Sequence, residues 1–157
     1  MAFPGDDIQT GSFLLCRAGR HLCAITMSRV VETMRILPIE KLSGTPGFVR
    51  GMSVIRGTPV PVIDLPDLLN LGETRPQRLV TIDINGRIVA LLVDAVLGIR
   101  PIATAAISAL PPLLREAAGE TVSAIGILDA ELLLFLNDMR VISESAISAV
   151  QAAETAS

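Results

Sequence analysis

Asp64, Asp83 and Asp94 each end or interrupt an apolar run of this 157-residue chain. Two carboxyls brought into one cleft could share the work of an acid and a base. The spacing gives no reason to bring any two together. Asp64-Leu65-Pro66 also lacks the Asp-Thr-Gly loop that positions an aspartic-protease carboxylate. A small hydrolytic or ligand-binding barrel using Asp64 and Asp94 is therefore the weakest functional reading. His21, the one histidine, flanks a turn signal with no acid and nucleophile pattern beside it, and reads as an exposed turn residue. With Cys16 and Cys23 it makes a poor zinc set. The sequence carries no glycine-rich phosphate loop, no His-Glu-x-x-His and no Gly-x-Ser-x-Gly, so neither a catalytic centre, a metal nor a cofactor is expected.

Arg56 is a group of another kind. A permanent charge amid apolar neighbours either pairs with a carboxylate of its own chain, Asp64 or Asp67 here, or waits for a partner. It lies within residues 47–69, GFVRGMSVIRGTPVPVIDLPDLL, where two Val- and Ile-rich runs flank Arg56-Gly57-Thr58-Pro59. Such runs bounded by Gly and Pro read as a β-hairpin. A two-residue loop at Gly57-Thr58 would put Pro59 and Pro61 in hydrogen-bonded pairs, and neither has an N–H to give. The prolines thus argue for a longer loop over residues 56–59, with Ile55 and Val60 as the first bonded pair and an edge strand on the return. Asp64 can cap a short helix over residues 65–70 with Pro66 in its first turn.

Half of the residues are hydrophobic and only 3% aromatic, all Phe, so the core is aliphatic. A net charge of -3 and a pI near 5.1 argue against nucleic-acid binding. No apolar run approaches the roughly 20 residues of a spanning helix. Residues 1–11, with Asp6 and Asp7, read as a flexible lead-in rather than a secretion signal, and the cytoplasm is the expected compartment.

In chain order, a turn at Gly19-Arg20 sets Cys16 opposite Cys23 and Leu14 opposite Ile25. Reduced, buried thiols are expected there, with a cross-strand disulfide as the alternative. Met27, Val30, Val31 and Met34 have helical spacing and predict one or two turns of helix running into a strand at residues 36–39. Glu32 sits among them as an acidic counterpart to Arg56. Residues 71–76 form the best internal boundary. Asn85-Gly86 is a strong hairpin signal, and the strand after it reads as buried on both faces. A last hairpin turns at Leu128-Asp129-Ala130-Glu131, and Asn137 or Asp138 can cap a terminal helix.

Two segments recur. GRHLCAIT at residues 19–26 returns as GRIVALLV at 86–93, an offset of 86 − 19 = 67. VRGMSVIRGTPVPVID at 49–64 returns loosely as VSAIGILDAELLLFLN at 122–137, an offset of 122 − 49 = 73. Same order and similar offsets point to a duplication, with about six extra residues in the Pro- and Ala-rich connection at 99–120.

With these residues in view, the chain resembles the CheW family, the adaptors that couple chemoreceptors to the CheA histidine kinase. TPGFVRGMSVIRGTPVPVIDL at residues 45–65 is similar to the family's Asn-Leu-Arg-Gly hairpin, with Val54 in place of the Asn, and GRIVALLVDAVLG at 86–98 is similar to its second signature. The resemblance implies a mostly β fold: two small five-stranded SH3- or OB-like barrels related by internal duplication, with short helices and a C-terminal helix. It implies one domain over residues 12–157, with barrel 1 at about 12–72, barrel 2 at about 77–142 and the helix at about 138–152. It implies a non-catalytic adaptor with two partners, the cytoplasmic tip of chemoreceptors and a CheA-type kinase, and no direct membrane insertion. The family's functional arginine falls on Arg56, its acidic residue on Glu32, the apolar position two before that on Val30, and the basic residue preceding the Gly on Arg50. A receptor-binding groove of Arg56, Val30, Met27, Val93 and Val96 is expected, with Glu32 and Arg50 meeting the kinase. A CheW-like scaffold serving a non-chemotactic chemosensory pathway is the alternative.

Overall fold

The computed structural model describes residues 10–71, 75, 77–113 and 122–136. Strands β1 (Thr10–Ala18) and β2 (His21–Thr26) lead through a single 3-10 turn, Met27–Arg29, into β3 (Val30–Arg35). Next come β4 (Val49–Ile55), β5 (Thr58–Asp64), helix α1 (Leu65–Leu68), β6 (Arg78–Ile84) and β7 (Arg87–Val93). β8 (Ala95–Ala103), a second 3-10 turn at Thr104–Ala106, β9 (Ile107–Ala109), β10 (Val122–Leu128) and β11 (Glu131–Leu136) complete the described chain. The expected terminal helix, the lead-in up to residue 9 and most of the 71–76 boundary lie outside the described residues.

Two-residue turns pin the hairpins. Arg56-Gly57, Asn85-Gly86 and Asp129-Ala130 have positive φ at both positions, the turn geometry whose twist matches that of paired strands. The first corrects the expected loop over residues 56–59. Ile55 faces Thr58, so Pro59 falls opposite Val54 and Pro61 opposite Met52. Closing the turn one residue earlier puts both prolines at positions that give no hydrogen bond to β4, so no longer loop is needed. Nor is β5 an edge strand, but its parallel pairing with β7 begins only at Val62, past both prolines.

The strands form a five-stranded sheet, β3-β6-β7-β5-β4, and a six-stranded sheet, β8-β1-β2-β11-β10-β9. Each sheet takes a hairpin from one repeat and the remaining strands from the other. β3 crosses to pair with β6, and β8 crosses back to pair with β1. The sheets therefore do not divide at residues 72–77 as the contiguous reading had it. The repeat itself is visible in the pairing: β5 runs parallel to β7, and β11 parallel to β2. β9 pairs with β10 where, in the first repeat, Glu40 bridges Met52. The extra residues expected at 99–120 are thus largely strand up to Ala109. The helix expected around Met27–Met34 shrinks to one 3-10 turn, because Val30, Val31 and Thr33 are β-branched and alternate in burial as a strand does.

Three apolar clusters fill the molecule. Leu15, Leu22, Ala24, Leu133 and Phe135 pack together on the six-stranded sheet. Ile55, Val60, Val62, Leu79, Ala90 and Leu92 do so on the five-stranded one. The third joins the two sheets, with Leu14, Cys16, Cys23 and Ile25 against Val49, Ile63, Leu91 and Val93. β2 and β7 are therefore buried on both faces.

Cys16 and Cys23 face each other across β1 and β2 as free, buried thiols. Burial pushes both up, Cys23 to about 12 and Cys16 further helped by its neighbour Cys23 and by Asp94. A folded-state pKa above the unfolded value means stability is fully present below the ordinary thiol value of 9.0 and is lost as pH rises beyond it. Chemical denaturation across alkaline pH should show that decline, and Cys16→Ala with Cys23→Ala should flatten it; an identical alkaline limb would contradict the account.

Candidate functional site

The β4–β5 hairpin carries Arg50, Arg56 and Asp64. β4 bulges between Val49 and Gly51, so that Arg50 has no partner position on β5 and turns outward. There its Nε and Nη2 donate to Asp64 Oδ2 at 2.8 and 2.7 Å. Asp64 also caps α1, its Oδ1 accepting from the Asp67 N–H at 3.0 Å. Asp64 is almost fully buried, so the two contacts occupy a carboxylate with little access to solvent.

Arg56, in the left-handed region at φ 51, reaches the far edge of the same sheet. Its Nε and Nη2 donate to the two carboxylate oxygens of Glu32 on β3 at 2.8 and 2.7 Å. Arg56 is therefore not a lone cation, and neither Asp64 nor Asp67 is its partner. The hydrogen bonds from Arg56 hold the Glu32 carboxyl below its usual range, and Glu32 raises the guanidinium in return. Two further links join the β3 side to β4: the Ser53 hydroxyl donates to the Pro38 carbonyl at 2.7 Å, and Glu40 and Met52 exchange backbone bonds of 2.8 Å. The edges of the five-stranded sheet are thus tied together, with Arg56–Glu32 as the outermost tie and 78% of the Arg56 side chain exposed.

Exposed apolar residues recur at matching places in the two repeats. Val54 opposite Pro59 on the first hairpin corresponds to Ile127 opposite Leu132 on the last. Val54 is 67% and Ile127 75% exposed. β3 bulges at Val31, between Val30 and Glu32, and β8 bulges at Leu97, between Val96 and Gly98. Both bulge residues are 52% exposed.

Residues 12–146 match the CheW-like domain. The chain belongs to the CheW-like family. Its members are non-catalytic scaffold or adaptor proteins, and the chain is accordingly not an enzyme. It is 35% identical to protein FrzA of Myxococcus xanthus over 111 residues, 69% of either chain. It is 25% identical to the chemotaxis protein CheW of Klebsiella aerogenes, covering 88% of this chain and 85% of that one. Its fold matches the scaffolding protein TtCheW from Thermoanaerobacter tengcongensis with a TM-score of 0.78, covering 88% of this chain and 96% of the other.

The expected site residues of this CheW-like chain fall in different settings. Arg56 and Glu32, assigned to separate partners, form one bonded unit and so belong to one surface. Arg50 is held by Asp64. Val93 is fully buried in the cluster joining the sheets and cannot line a groove in this conformation. Met27, Val30 and Val96 are half-buried against that same cluster. Val30 and Val96 hold matching places in the two repeats, each just before its bulge. Asp94 accepts from the Gly19 N–H at 2.8 Å, tying β7 to the β1–β2 turn, while Asp64 is engaged by Arg50. The paired-carboxylate reading has no support. His21 is half-buried rather than exposed, with its Nδ1 enclosed. The expected groove left out the exposed apolar residues Val31, Val54, Leu97, Ile127 and Leu132. Their signal was available in the outward phase of each strand, once the β3 helix reading is dropped.

Proposed function

We propose that this protein is a cytoplasmic adaptor that couples chemoreceptors to a CheA-type histidine kinase, and that the Arg56–Glu32 pair marks one of its docking surfaces. The observation that carries this reading is the doubled surface. One shared apolar cluster joins the two sheets, and each sheet presents an exposed apolar cross-strand pair beside a hairpin turn. A chain that must hold two partners at once needs two such faces. Burying an apolar side chain at an interface contributes about 1.5–3 kcal/mol, and a charged pair at its rim sets register and selects the partner. Receptors and kinase are the partners supported by family membership, and a scaffold in another chemosensory pathway would bind the same classes of protein with a different output. Among the described residues no helix is long and apolar enough to cross a membrane.

Charge exchange at the pair tests this. Arg56→Asp should weaken capture of the receptor's cytoplasmic fragment by about tenfold or more, with little change in Tm because the pair is exposed. The doubly exchanged Arg56→Glu/Glu32→Arg chain rebuilds the internal bond but inverts the pattern a partner meets. It should remain defective in binding. Full recovery in the double variant would reduce the pair to a hairpin tie and remove it from the interface.

A further inference from the structure

A cleft of about 410 Å³ is lined by Arg35, Gln77, Arg78, Asp94, Ala95 and Val96. Arg35, the last residue of β3, lies directly opposite Arg78, the first of β6. Like charges directly opposed on neighbouring strands repel, and a fold gains nothing from placing them so. Arg17, Arg50 and Arg56 are each bonded to a carboxylate of the chain, on Glu131, Asp64 and Glu32. Arg35 and Arg78 have no such partner among the described residues, and both are exposed. The one carboxylate lining the cleft, on Asp94, accepts the Gly19 N–H. The two guanidiniums therefore outnumber the acid in the cleft, and the wall beside them, Ala95 and Val96, is apolar.

We infer that this cleft receives an acidic side chain of a protein partner, clamped between Arg35 and Arg78, with the apolar stem of that side chain against Ala95 and Val96. Planar guanidinium forks match carboxylate oxygens in pairs, and a mixed charged and apolar lining fits a glutamate better than a free inorganic anion. The choice of a protein as the source rests on the adaptor reading above. The geometry makes Arg35 and Arg78 determinants of which partner is accepted.

The probe is a terminally blocked helical peptide with two glutamates one turn apart, compared with its glutamine counterpart and with inorganic phosphate. Binding is read from backbone amide and arginine Nε–H resonances of the full chain. The glutamate peptide should shift Ala95, Val96 and the Arg35 and Arg78 side chains saturably, and Arg35→Gln or Arg78→Gln should weaken it about tenfold. Each variant should also keep or raise the Tm, since a repulsion is removed. Shifts that avoid the cleft, equal binding of the glutamine peptide, a response to phosphate alone, or a Tm lowered by either substitution would each overturn the inference. Capture of the receptor fragment by the unmodified chain is measured alongside. If that capture persists while the cleft ignores the peptide, this inference falls and the adaptor reading stands. If the receptor is not captured, it is the adaptor reading that falls.

Discussion

Gly51→Ala should destabilise the protein by about 3–5 kcal/mol or prevent its folding outright. Gly51 sits at φ +141, a conformation that side-chain-bearing residues rarely adopt, and a Cβ built there would lie 2.0 Å from the Glu40 carbonyl oxygen. The next nearest atoms, Glu40 C at 2.7 Å and Lys41 Cα at 3.0 Å, are also backbone, so no side-chain rotation relieves the clash. Residues 40 and 41 must move, which breaks the paired bonds between Glu40 and Met52. The forbidden φ costs about 1–3 kcal/mol, and each lost backbone bond about 1 kcal/mol more. Against a total stability of about 5–15 kcal/mol, that is a large fraction. The neighbouring Ser53–Pro38 and Arg56–Glu32 ties depend on the same approach of the sheet edges. Chemical denaturation with circular dichroism measures the loss. A Gly51→Ala chain within about 1 kcal/mol of the parent would show that the edges of the five-stranded sheet are not tied as described.

Asp64→Ala should cost about 2–4 kcal/mol. Its carboxylate accepts from Arg50 on one oxygen and from the Asp67 N–H on the other, at a site 3% exposed for the side chain. Losing the cap costs about 1 kcal/mol. Losing the charge-assisted bonds to Arg50 costs about 1–3 kcal/mol, at the lower end because the Arg50 side chain is 47% exposed and water compensates it. Asp64→Asn separates the two contributions, since an amide oxygen can still cap α1 but offers Arg50 no charge. It should be intermediate. If Asn is as damaging as Ala, the ion pair carries the stability; if Ala is harmless, neither contact does. The parent, Ala and Asn chains compared in one urea titration series decide this.

Much of the fold was legible because its register depends on local chemistry. Gly19, Asn85-Gly86 and Asp129-Ala130 dictate turn positions, and the Cys16–Cys23 pairing followed by counting. The two matched segments disclosed the duplication. What sequence could not disclose is exchange between repeats: a strand's alternation names its inward face but not its neighbour, so the crossing of β3 to β6 and of β8 to β1 was hidden. The same limit explains the site. Arg56 and Glu32 are 24 residues apart and meet only because the sheet curls its edges together. Val93 was expected in a groove, yet its phase on β7 turns it into the core. Arg35 and Arg78 are unremarkable in sequence and become a pair only through the register of β3 on β6. Arg56 at a positive φ in a two-residue turn defied the usual turn chemistry, in which glycine, asparagine or aspartate holds that place.

The central claim is that this chain joins two other proteins without transforming either. Its most direct test is reconstitution of the kinase and receptor fragment from the source organism, identified by co-purification with the tagged chain. Receptor-dependent kinase phosphorylation is then measured with and without the chain. The account predicts that receptor and kinase enter one complex, and that kinase activity responds to receptor, only when the chain is present. A receptor–kinase complex that forms and signals equally well in its absence would contradict it.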